Sequence, residues 1–281
     1  MGGMNMELEI IIAVLLILMT AFMFAPLGLG GGVLYVPIFL FLLEWDIHLS
    51  LVASLILVWM VSLGSRVAHS KGGYAVVSVG KKGTKAALAG AIFGAILASI
   101  FISQLGDMSI KITSTFLLIW VLYSTVKKLT SELHGNENDD YQSPEVEGKV
   151  LNIYRAGCFG GGAASGLLGI GGGPIFVTLH RSTLKYKQHQ AAGTSYIIES
   201  WMVPMGIFTH LVIDGSGTAL IETLGIYLIL IPILVVGTAW IGAKVAIKML
   251  PQRVLTYPFI IAVFVGLVRY LIDIKDMILL G

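Results

Sequence analysis

Leu27-Gly28-Leu29-Gly30-Gly31-Gly32 decides the fold, because the chain repeats it 141 positions later as Leu168-Gly169-Ile170-Gly171-Gly172-Gly173. The same offset pairs Val36 with Val177, His48 with His189, Ser54 with Ser195, Ile56 with Ile197 and His69 with His210. One gap-free offset across that span reads as two copies of a single unit, each interrupted by glycines. Three consecutive glycines do not sustain a helix in water, where each costs about 1 kcal/mol relative to alanine. In a bilayer the freed amides need partners, so such a break survives only buried in protein or lining a cavity. Paired, interrupted membrane units are the pattern of secondary transporters.

Composition puts those units in lipid. Hydrophobic residues make up 56% of 281 positions, charged residues 12%, and the mean hydropathy is +0.89. A soluble domain is closer to 45–50% apolar and ~25% charged. A net charge of +2 leaves no footprint for nucleic acid. Cys158 is the single cysteine, which excludes an internal disulfide and a cysteine-rich metal site. No carboxylate–histidine cluster appears at helical spacing, so neither metal nor cofactor is expected. The first apolar run has no positive charge before it and reads as a retained span, not a cleaved leader. Met1-Gly2 lacks the hydroxyl residue at position 6 that a myristoylation site needs.

Each half offers five apolar segments: 8–24, 33–43, 51–63, 86–102 and 110–126, then 150–168, 174–179, 191–212, 220–246 and 254–272. A full crossing needs ~20 residues, so the second segment of each half reads as a partial helix entering the bilayer after its glycine run. The expected division is an N-terminal membrane repeat at 1–130, a polar acidic linker at 131–149 and a C-terminal membrane repeat at 150–281.

Lysine and arginine give the orientation. Arg66, Lys71, Lys81, Lys82 and Lys85 mark one cytoplasmic loop, and Lys127 and Lys128 the same side. Corresponding loops carry opposite bias. Glu44–His48 is not basic but Arg181–His189 is; the partner of the Arg66–Lys85 loop contains Asp214 and Glu222; Lys244–Arg253 is basic where Gln104–Ser109 is not. The reading is an all-α polytopic membrane protein of two inverted-topology repeats. Both termini fall outside and the acidic linker inside.

A helix that restarts after a break presents bare N–H groups and a partial positive charge. Val33 and Pro174 suit such restarts, since proline at a first helical position needs no amide partner. Two facing breaks would make a midplane site for a small anion from Gly30, Gly31, Gly32, Gly171, Gly172 and Gly173. The alternative is close packing through small residues, favoured for the Gly90/Gly94 and Gly157/Gly161 spacings. Ser54, Thr194 and Ser195 are candidate donors to an oxyanion, or else bond carbonyls one turn back. Glu199, in an apolar stretch, is a candidate proton carrier by its cost alone. It would pair with Arg155 or His210, or sit as a neutral hydrogen-bonded acid. His210 is a second proton candidate, and Arg66 either snorkels to the surface or attracts anions at an entrance.

The chain resembles the TauE/SafE sulfite exporter family, also called the four-toluene sulfonate uptake permease family. The resemblance rests on Ala25-Pro26-Leu27-Gly28-Leu29-Gly30-Gly31-Gly32 with Val36-Pro37, and on Ser165–Gly173 followed by a His-x-x-Ala-x-Thr-Ser pattern at His189–Ser195. The first copy varies that pattern at His48–Ser54, which suggests unequal half-sites. It implies a multi-pass permease of the cytoplasmic membrane that moves sulfite or small organosulfonates such as sulfoacetate, outward and coupled to an ion gradient.

The leading expectation is a proton-coupled carrier working by alternating access, with a homodimer left open. An anion channel, or a carrier of a non-sulfur organic anion, is the alternative. An enzyme is not expected, for no nucleophile context with a partnering histidine and no pair of membrane-depth aspartates occurs. No phosphate-binding loop of an ATP-driven pump is present.

Overall fold

Hydrocarbon offers the backbone no hydrogen bonds, so a spanning segment must satisfy its own amides, and a helix does this alone. The computed structural model describes residues 2–133, 144–249 and 252–280. Among the described residues it contains eleven α-helices and no strand: α1 (Gly2–Phe24), α2 (Gly32–Phe41), α3 (Ile47–Lys71), α4 (Val77–Leu105), α5 (Asp107–Leu133), α6 (Gly148–Leu168), α7 (Gly173–Leu184), α8 (Gln188–Ile213), α9 (Gly217–Leu224), α10 (Tyr227–Met249) and α11 (Gln252–Leu280). Seven of them, α1, α3, α4, α5, α8, α10 and α11, are long and apolar enough to cross a membrane. Large apolar side chains face outward on these helices, among them Leu15, Phe116, Trp201, Ile229 and Val265. The chain is an all-α, multi-pass membrane protein. Of the linker expected at 131–149, residues 134–143 lie outside the described residues.

The short second helices appear as expected. A turn of 3-10 helix at Ala25–Leu27 ends α1, and α2 starts at Gly32 after the break. In the second half α6 ends at Leu168, and α7 starts at Gly173 with Pro174 in its first turn. Gly28, Gly30, Gly31, Gly169, Gly171 and Gly172 all take positive φ, which only glycine adopts at no steric cost. Two expectations change. The third segment of the first half is not 13 apolar residues but the 25-residue α3, because its helix continues through Ser65, Arg66 and His69. The run at 220–246 is not one helix. It breaks at Gly225, φ 48°, between α9 and α10.

α3 and α8 form the buried centre and run antiparallel. His48 at the start of α3 meets Asp214 just past α8, whereas His69 near the end of α3 lies against Gly193 near the start of α8. Around them the packing is reciprocal, with α4 against α6 and α8, and α10 against α1 and α3. Gly90, Gly94, Gly162 and Gly166 let α4 and α6 touch backbone to backbone. A Cβ at Gly90 would sit 2.1 Å from Phe159 O and one at Gly166 2.2 Å from Ala91 O. That is the small-residue packing expected of the Gly90/Gly94 pair.

The two ends differ in charge. The His189 and Tyr74 rings lie 5.2 Å apart, tilted by 48°, and Lys82 Nζ donates to Val146 O, so the loops carrying Lys71–Lys85 and Lys185–Lys187 share one end. His48 with Asp214, Asp46 and Asp107 occupies the other.

Candidate functional site

Broken helices leave carbonyls without partners, and α3 and α8 supply them. Tyr196 Oη donates to Ala25 O at 2.9 Å, Gln188 Nε2 to Leu27 O at 3.0 Å, and Ser54 Oγ to Gly169 O at 2.7 Å. Ser195 Oγ, the counterpart of Ser54, donates to Ala192 O at 2.8 Å and reaches Gly28 O at 3.4 Å. Gly28 and Gly169 are themselves counterparts at the 141-residue offset. Each serine therefore ties its own copy's helix to the broken backbone of the other. Thr194, grouped with them in the sequence, points elsewhere: its Oγ1 accepts from Val76 N at 3.2 Å.

The glycine breaks interlock. A Cβ on Gly32 would stand 2.6 Å from Gly169 O and 2.6 Å from Ile170 Cα, and one on Gly173 2.6 Å from Gly28 O. Gly31 and Gly172 each face the ring one turn ahead, Tyr35 and Phe176, which are again counterparts. Gly30 and Gly171 meet in the middle on Val58, so all six glycines of the two runs are buried.

Glu199 occupies the position that matches Val58. One of its carboxyl oxygens lies 3.2 Å from where a Gly30 Cβ would be. It is fully buried, and among the described residues neither oxygen has a hydrogen-bond partner. The pairings expected from sequence do not form. Arg155 is exposed, with its Nε toward Lys82 O, and His210 is held elsewhere. His210 Nδ1 lies 2.8 Å from Asp214 Oδ2 and Nε2 2.7 Å from Gly166 O, two acceptors that are both satisfied when both nitrogens carry hydrogen. His48 Nδ1 approaches the same Asp214 oxygen at 3.0 Å. Burial would raise the Asp214 carboxyl, but hydrogen bonds from His210 and His48 outweigh it and hold it well below the usual carboxylate range.

Five residues beyond Glu199, Pro204 opens the helix ladder. It has no N–H for the Ser200 carbonyl, and Trp59 Nε1 takes that carbonyl at 3.1 Å. Arg66 Nη1 donates to Ser200 Oγ at 3.1 Å. Of the two readings for Arg66, the side chain is turned into the bundle, toward the level of Glu199.

Beside the interlock lies a cavity of about 300 Å³ whose wall includes Leu27 and Leu29 of the first break, Pro174 of the second, and Thr178, Arg181 and Gln188. Arg181 Nη1 donates to Gln188 Oε1 at 2.9 Å. Sequence reading used Arg181 only as a marker of orientation and passed over Gln188. Their signal was present in the offset, which sets them opposite Leu40 and Ile47. No group of three or more histidine, cysteine, aspartate or glutamate residues able to hold a metal occurs among the described residues.

Among known families, the model described as Sulfite exporter TauE/SafE matches residues 12–270. No curated protein and no solved structure matches the chain.

Proposed function

Since the chain belongs to the sulfite exporter TauE/SafE family, and is therefore a multi-pass membrane transporter of the sulfur-anion exporter type, we propose that it carries sulfite or a small organosulfonate such as sulfoacetate across the cytoplasmic membrane by alternating access, coupled to protons. The observation that carries this reading is the reciprocal seating of the two glycine breaks at mid-length of antiparallel α3 and α8.

Matching positions on antiparallel spans support a pair of inverted repeats, and the segregation of basic and acidic loops supports a cytoplasmic Lys71–Lys85 end. In the conformation described here the breaks are shut on each other. An anion in the cavity therefore touches Leu27, Leu29 and Pro174 first. The amides of Gly30, Gly31, Gly32, Gly171, Gly172 and Gly173, and the hydroxyls of Ser54, Thr194 and Ser195, become reachable as the two units rock apart. That motion separates a carrier from a channel, whose pathway is continuous.

Glu199 is the coupling group in this reading. An ionised carboxylate without a partner is costly at membrane depth, and its position against Gly30 makes its charge sensitive to whatever occupies the break. His210, already committed to Asp214 and Gly166, serves the acidic end.

The test uses purified protein in vesicles carrying a pH gradient, assayed with sulfite, sulfoacetate, sulfate and acetate. Glu199→Gln should bind the anion as the parent does and lose pH-driven flux. Unchanged pH-driven flux would reject its role. Gly31→Leu and Gly172→Leu should both abolish anion binding, and binding at the parental level by both would put the site elsewhere.

A further inference from the structure

We propose that the 300 Å³ cavity beside the breaks is the site where the anion is loaded, with Arg181 as its counter-charge and Gln188 as the residue that positions that charge, a proposal that rests on the exporter reading above. Arg181 and Gln188 form a short chain to the broken backbone: guanidinium to amide oxygen at 2.9 Å, amide nitrogen to Leu27 O at 3.0 Å. The cation is thereby fixed to the same carbonyl region that the glycine break exposes. A guanidinium offers a planar fork of N–H donors that fits the oxygens of a sulfite or sulfonate group. The two threonine hydroxyls on α5 and α7 already spend their protons on backbone. Thr178 Oγ1 donates to Pro174 O and Thr125 Oγ1 to Val121 O, each at 2.7 Å. The first turn of α7, opening at Pro174 in the cavity wall, adds the positive end of a helix.

The repeat supplies an internal control. The positions 141 residues before Thr178, Arg181 and Gln188 are Pro37, Leu40 and Ile47, none of which offers a side-chain donor. In that counterpart region the Phe41 ring meets Tyr270 edge-on at 5.0 Å, and the Arg269 guanidinium lies over Phe41 at 5.1 Å. One side of the molecule lines a cavity with its guanidinium, and on the other the guanidinium lies against an aromatic ring. Anion affinity is therefore higher from the basic end than from the acidic end, and the direction of net flux still follows the gradients.

The test is calorimetric titration of sulfite, and of sulfoacetate, into protein held in nanodiscs. Arg181→Gln should weaken binding at least tenfold, Arg181→Lys less, and Leu40→Gln not at all. As a check independent of Arg181 variants, Thr178→Cys should react with a sulfonate-bearing methanethiosulfonate applied from the basic end, and sulfoacetate, which unlike sulfite does not itself attack the reagent, should slow that reaction; Cys158 is buried and stays silent. Equal binding by the parent and Arg181→Gln, or labelling of Thr178→Cys indifferent to sulfoacetate, would overturn this site while leaving the exporter reading standing. A folded parent that binds neither anion would overturn both.

Discussion

At the scale of single residues, Gly32 and Gly173 are irreplaceable for a steric reason, since each added methyl would lie 2.6 Å from backbone oxygen of the other break. Backbone does not step aside as a flexible side chain does, so Gly32→Ala and Gly173→Ala should each destabilise by about 1–3 kcal/mol, read as a lower melting temperature in detergent. Gly160 is the contrast. Nothing lies within 4 Å of its missing Cβ, and Gly160→Ala inside α6 should be neutral or gain about 0.5–1 kcal/mol from reduced backbone freedom. Asp214 gives a pH dependence with a definite sign. Its carboxyl is held below the unfolded value, so its contribution to stability is complete above about pH 4 and fades as pH falls further. Melting curves taken from pH 7 downward should show this loss in the parent. In Asp214→Asn the profile should be flatter and the protein less stable at pH 7.

At the scale of elements, the paired serines are equivalent in sequence but not in bonding. Ser54 makes one bond, to Gly169 O at 2.7 Å, whereas Ser195 has an alternative within its own helix at 2.8 Å. Ser54→Ala should therefore cost about 1 kcal/mol and Ser195→Ala less, measurable by thermal unfolding of the two variants side by side. Much of the element plan could be read in advance. Glycine triplets announce where α1 and α6 must stop, and Pro174 announces where α7 begins. The break between α9 and α10 was hidden because Leu224, Gly225 and Ile226 interrupt nothing in the hydropathy, and only the φ of Gly225 reveals it. α3 outran its apolar stretch because Ser62, Ser65 and His69 face the buried centre, where tertiary packing extends a helix that composition would end. The site was half legible. The breaks and Glu199 stood out as anomalies in an apolar chain, but a cavity formed by Leu27, Pro174, Arg181 and Gln188 depends on how α7 folds back, and no local pattern encodes that.

At the scale of the whole molecule, the segregation of charge predicts sidedness. With buried Cys158 as a silent background, Lys81→Cys should react with an impermeant thiol reagent only from the cytoplasmic side and Asp107→Cys only from the opposite side, since both positions are exposed at opposite ends. Labelling of both from one face would show that α4, which lies between them, does not cross the membrane. The reciprocal seating of Gly32 on Gly169–Ile170 and of Gly173 on Gly28–Leu29 has an electrical corollary. Backbone pressed on backbone leaves no room for a file of water between the two breaks in this conformation, so protons and inorganic ions have no wire to follow there. A cell can stock its membrane with this protein without short-circuiting the voltage that drives everything else.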